Sequence, residues 1–150
     1  MAGIIEIWDR RPDSPHLLAL DLLDLLPLVA PEGRQLVWAI LELEGEGVLP
    51  NDRYRQETED SPTGAVVSWD ELIAIARAVK QVLWGVFVGC TAASVIPRLH
   101  PDTDLYSQSE IVIEAIDSTY WRVYARDDRV LQRLGAAFRE VKMVALSREA

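Results

Sequence analysis

The sequence predicts an α+β fold, a mostly antiparallel sheet packed by about three helices, formed by residues 1–150 as a single domain. Three features lead to it. Residues 110–125 hold two runs with a period of two, Ile111, Ile113 and Ala115 in the first and Trp121 and Val123 in the second, joined at Asp117-Ser118. Such alternation marks half-buried strands, and the short polar join marks a tight turn, so this hairpin is placed in the middle of the sheet. Ser68-Trp69-Asp70-Glu71 has the spacing of a capping box, in which a serine hydroxyl and a glutamate carboxylate satisfy each other's backbone donors at a helix start. Finally, strand-like and helix-like runs are mixed along the chain without an internal repeat.

In chain order, residues 4–8 are short, apolar and rich in β-branched side chains, which predicts a first strand. Ser14-Pro15 predicts a helix start, with Ser14 as cap and Pro15 at the first helical position, and Pro27 predicts its end. The leucines between them, Leu17 through Leu26, are assigned to packing within the fold, the alternative being a stripe lent to a second copy. Residues 35–44 fit a strand whose last acids, Glu42 and Glu44, take over one face, although the run also admits a helix. Residues 52–64 show no apolar period and read as a long surface loop. The capped helix then runs through Leu72, Ile73, Ala76, Val79 and Leu83, and residues 85–90, bracketed by glycines, read as a buried central strand. Residues 91–108 are left irregular. After the hairpin, Asp127 or Asp128 caps a helix bearing Val130, Leu131, Leu134 and Phe138, and residues 142–146 return as an edge strand.

The composition excludes several classes. With 49% apolar and 26% charged residues the chain resembles ordinary globular proteins, which excludes global disorder. The single cysteine, Cys90, has no internal disulfide partner, and Glu6 and Asp9 stand where a signal peptide would be basic. A cytoplasmic protein with no membrane span is expected, since Asp21 and Asp24 break the longest apolar run. The net charge of −9 argues against nucleic acid as a partner, because phosphate neutralisation supplies most of that affinity. The charge is uneven: residues 42–60 hold seven acids against Arg53 and Arg55, while residues 121–150 hold seven bases against four acids.

No pattern in the chain carries known chemistry. Cys90 and His100 would have to pair for nucleophilic catalysis, and a buried structural cysteine is the plainer reading. Two histidines and one cysteine do not make a tetrahedral metal site, and Asp102-Thr103-Asp104 lacks the rest of a calcium loop. Gly45-Glu46-Gly47 has the wrong continuation for a phosphate cradle. No catalytic residue, metal or cofactor is therefore assigned. Arg126, Arg129 and Arg133 form a basic stripe, read as a solvated face or one that complements acids elsewhere in the protein. Tyr120 and Tyr124 with Arg122 make the exposed side of the hairpin, and Trp121 its core side.

The run from Ile113 to Asp127 with its following helix resembles the C-terminal part of small bacterial proteins, some of them immunity proteins of polymorphic or contact-dependent toxin systems. The resemblance implies a small acidic cytoplasmic binder that blocks a toxin by covering its active surface. It covers about a fifth of the chain. Together with the acidic segment it gives the leading expectation, a non-enzymatic module for a basic protein partner, with Glu42, Glu44, Asp52, Glu57, Glu59 and Asp60 as its surface and Tyr54 as an aromatic anchor. The rival expectations are a homodimer built from the leucine-rich helix and an edge strand, and a small-ligand domain with a pocket beside residues 91–108.

Overall fold

The structure is a computed structural model that describes residues 2–47, 64–97 and 105–144. Its centre is a seven-stranded sheet in which every paired neighbour is antiparallel. The strands are β1 (Gly3–Ile7), β4 (Val37–Gly47), β5 (Ala65–Val67), β6 (Val79–Cys90), β7 (Ile111–Ile116), β8 (Tyr120–Ala125) and β9 (Val141–Val144). They lie in the order β5-β4-β6-β7-β8-β1-β9, so β7 of the predicted hairpin is the middle strand. A separate ribbon pairs β2 (Arg10–Arg11) with β3 (Ser14–Leu18). Three longer helices, α1 (Leu22–Gly33), α2 (Trp69–Ala78) and α4 (Asp128–Ala137), pack on one face, and the α+β expectation holds. A 3₁₀ turn (Ala93–Val95) and the four-residue α3 (Leu105–Gln108) fall in the segment expected to be irregular.

Strand alternation sorts the core. Ile5, Ile7, Trp38, Ile40, Phe87, Ile113, Trp121 and Val123 face the helices and meet the buried leucines of α1 and α4. The opposite face buries a smaller cluster around Ile4, Leu41, Val88, Val112 and Tyr124. Tyr124 was expected to be exposed with Tyr120; instead it is 4% exposed, because the ring of Tyr106 on α3 stacks on it at 4.7 Å.

The first helix departs most from expectation. Residues 14–18 are β3, and Ser14-Pro15 starts no helix. A proline is tolerated in a two-stranded ribbon, where one side of each strand lacks a ladder partner. Asp21 is the cap: it accepts from Leu22 N–H at 2.8 Å while Asp24 accepts from Asp21 N–H at 2.8 Å. Pro27 does not end α1, and Pro31 lies within it too. Both prolines are exposed and follow Leu23 at four-residue steps, so the carbonyls they leave unpaired, those of Leu23 and Pro27, lie on the water side.

The capping box at Ser68 forms as expected, with Ser68 Oγ accepting from Glu71 N–H and Glu71 Oε1 from Ser68 N–H, both at 3.1 Å. The helix stops at Ala78, however, and Val79 and Leu83 already belong to β6, which is far longer than residues 85–90. Val79 takes extended backbone angles directly after its N–H closes the last helical turn on Ile75. β5 was not foreseen; Gly64 opens it in a left-handed conformation, φ +67°, that a side chain would resist.

The hairpin turn closes with Thr119 N–H donating to the Ile116 carbonyl at 2.8 Å, and both central residues are left-handed, Asp117 at φ 50° and Ser118 at φ 56°. This is a type I′ turn, which matches the twist of the strands but strains a residue with a Cβ. Ser118 Oγ is also enclosed without a hydrogen-bond partner. Ser118→Gly removes both costs, against the added freedom of glycine in the unfolded chain, and is expected to stabilise by about 1 kcal/mol. A rise in the urea midpoint at unchanged slope checks it.

Candidate binding face

The face of the sheet away from the three long helices carries the candidate site. Register aligns one residue from each of six strands across it: Lys142 beside Glu6, Glu6 beside Arg122, Arg122 beside Glu114, Glu114 beside Val86, and Val86 beside Glu42. Charges alternate over the first four, and adjacent opposite charges stabilise a sheet. Arg122 Nη2 lies 3.4 Å from Glu6 Oε2, and Tyr106 donates from its hydroxyl to Glu114 Oε1 at 2.7 Å. Burial, then the Glu114 carboxylate, push the Tyr106 phenol well above its ordinary range, so it stays a donor. Tyr120 also joins this cluster, its ring stacked on Trp8 at 4.2 Å and its hydroxyl accepting from Arg122 Nη2 at 3.1 Å.

Beyond Val86 the compensation ends. Glu42 has Val86 beside it, and Glu44, the next residue on the same face, has Trp84. Glu44 is exposed and Trp84 is 38% exposed, high for so large an apolar ring. Among the described residues no salt bridge engages Glu42 or Glu44. The face therefore runs from a neutralised patch to an acidic edge with an indole beside it. Of the residues expected to form the partner surface, Glu42 and Glu44 are brought together here. Asp52, Tyr54, Glu57, Glu59 and Asp60 lie outside the described residues, between Gly47 and Gly64 in the sequence. Trp84 was missed, and only the β4–β6 register, interrupted by irregularities near Glu42 and Gly45, sets it beside Glu44.

Of the other candidates, Cys90 and the basic stripe make their contacts within the fold. Cys90 is buried, its thiol pushed up by burial, with Sγ 3.8 Å from Ser109 Oγ. His100, Asp102 and Asp104 lie outside the described residues. Among the described residues no group of His, Cys, Asp or Glu is arranged to hold a metal ion, and no helix is long and apolar enough to cross a membrane. The basic stripe complements acids of the protein itself: Arg126 pairs with Glu110 at 3.0 Å, Arg129 with Asp127 at 2.7 Å, and Arg133 with Glu32. These pairs frame a cleft of about 550 Å³ lined by Glu32, Leu36, Thr91, Glu110 and Arg129, so its charged walls are already satisfied.

Asp127 caps α4 by accepting from Arg129 N–H at 2.9 Å, and the Arg129 side chain holds its carboxyl down to about 2 from an ordinary 3.8. A depressed carboxyl contributes stability that is complete above 3.8 and lost as pH falls toward 2. Asp127→Asn keeps a capping oxygen but not the charge, so it is expected to melt below wild type at neutral pH, with the gap closing across that acid interval. Melting temperatures through the interval check this.

No family model, curated protein or solved structure matches the chain. The functional reading therefore stands on the chemistry of this face.

Proposed function

We propose that the protein is a non-enzymatic binding module, of the immunity type, that masks a basic toxin or enzyme through its acidic sheet face. The observation that carries this reading is the break in the charge row at Val86, which leaves Glu42 and Glu44 without cationic partners among the described residues, next to an exposed Trp84. Carboxylates steer a basic partner and set its orientation, and a tryptophan supplies the apolar anchor on which interface affinity concentrates. The acids between Asp52 and Asp60 extend the same charge in sequence from the end of β4. The leucines of α1 do not favour the rival homodimer built on that helix, since Leu22, Leu25 and Leu26 are spent in the core.

Affinity purification from the native host's extract tests the reading, with wild type and a Glu42→Lys/Glu44→Lys variant side by side. A basic protein retained by wild type at low salt and absent from the variant is expected. Identical retention by both would overturn the assignment of this face.

A further inference from the structure

A second row of side chains crosses the same face, one step nearer the hairpin turn than the charged row. Glu44 stands beside Trp84, and Ile116 beside Tyr120. Continuing the β6–β7 register one residue past Gly85 and Ala115 sets Trp84 beside Ile116, and Trp8 stacks on Tyr120. The row therefore reads Glu44, Trp84, Ile116, Tyr120, Trp8, from β4 to the end of β1. None of its four apolar and aromatic residues belongs to either core cluster, and each keeps some exposure, most at Trp84. A contiguous apolar strip of this kind marks an interaction surface. Its two ends carry opposite charge. Glu42 and Glu44 flank the Trp84 end, while at the other end the Arg10 guanidinium lies over the Trp8 ring at 5.8 Å. Arg10 Nη1 has no hydrogen-bond partner, and no salt bridge engages Arg10 among the described residues.

We infer that this strip holds an α-helix of the basic partner, lying across the strands with its cations over Glu42 and Glu44 and a carboxylate at Arg10. The strands beneath the strip, β6, β7 and β8, each have a paired neighbour on both sides, so the occupant cannot join the sheet as a further strand. It must satisfy its own backbone, as a helix does, and present an apolar stripe to the row. The length agrees: four interstrand gaps of about 4.8 Å make about 19 Å, which about thirteen helical residues span. The charges fix the ends. A helix cationic at both ends would set one of them against Arg10, and a helix acidic at both would set one against Glu42 and Glu44. This docking mode rests on the proposed function, which supplies a basic partner, and extends it from the Trp84 corner to the whole row.

Synthetic helical peptides of about thirteen residues test it. They share one leucine stripe and differ only at their ends, which carry lysines at one and glutamates at the other, lysines at both, or glutamates at both. Titration into isotope-labelled protein follows the indole N–H signals of Trp8 and Trp84. The mixed peptide is expected to shift both signals, and the all-lysine peptide to bind about fivefold more weakly, the upper range for one exposed ion pair. The all-glutamate peptide is expected to shift neither. Arg10→Gln is expected to equalise the first two peptides, and Arg10→Glu to reverse their order. No shift at Trp8 with any peptide, equal binding of the first two by wild type, or an order unchanged in both Arg10 variants would overturn the inference. Because the peptides replace the host protein, failure of this row is distinguishable from failure of the proposed function, which is read in the host extract.

Discussion

Trp38→Ala is expected to lower the free energy of unfolding by about 4–5 kcal/mol, the upper end for loss of a buried tryptophan. Trp38 is fully buried, and its indole N–H donates to the Gly33 carbonyl at 2.8 Å, which ties the end of α1 to β4. Its ring lies against two glycines: a Cβ added at Gly33 or Gly89 would stand 3.1 or 2.9 Å from it. Glycines have no side chain with which to refill the vacated space, and the cost of a core truncation grows with the cavity that remains. A further neighbour, Trp69, meets Trp38 at a tilt with centroids 5.9 Å apart and is itself held at the start of α2. Trp38→Phe, which keeps most of the volume and loses the hydrogen bond, is expected to cost much less. Denaturant unfolding of the two variants separates the volume effect from the bond, and a loss below about 1 kcal/mol for the alanine variant would contradict this packing.

Trp84→Ala is expected to leave stability within about 0.5 kcal/mol, as for a surface position, while weakening binding of the proposed basic partner by about 2 kcal/mol or more, roughly thirtyfold. The two effects separate because the Trp84 ring is part-exposed and lies outside both core clusters. Glu42 and Glu44 act differently. Their charges are set on β4 before any partner arrives, so reversing them is expected to slow association and flatten its salt dependence. Stopped-flow association at several salt concentrations distinguishes this from loss of the indole, which shows in the dissociation rate.

Where local chemistry decided a feature, the sequence was sufficient. Asp117-Ser118 is a short polar join between two alternating runs and forms the turn, although Ser118 is strained there, and Ser68 with Glu71 forms a complete capping box. Glu42 and Glu44 were legible as sharing a face because they stand two residues apart, but the register shift after Ile40, which no local pattern announces, turns them away from the side of Trp38 and Ile40. Features decided by environment were not legible. Pro27 and Pro31 ordinarily break a helix, and only the solvent position of the carbonyls they leave unpaired makes α1 tolerable. Asp21 with Asp24 makes the same reciprocal cap as Ser68 with Glu71, but an aspartate in place of the usual glutamate or glutamine hid it behind Ser14-Pro15. Val79 to Leu83 continues a helical spacing, yet pairing with β4 draws these residues into the sheet. Tyr106, which packs over Glu114 and Tyr124 near the middle of the candidate face, and Trp84, beside its acidic end, are placed by long-range contacts that no local pattern encodes.

The proposed partner of the acidic edge of the sheet face is a basic protein. Calorimetric titration of the purified partner against wild type and Glu42→Lys/Glu44→Lys, at low and at moderate salt, tests it most directly. At least tenfold weaker binding by the variant is expected at low salt and a smaller difference at moderate salt, since screening weakens exposed charges. Equal affinity at both salt concentrations, with both proteins folded, would contradict it.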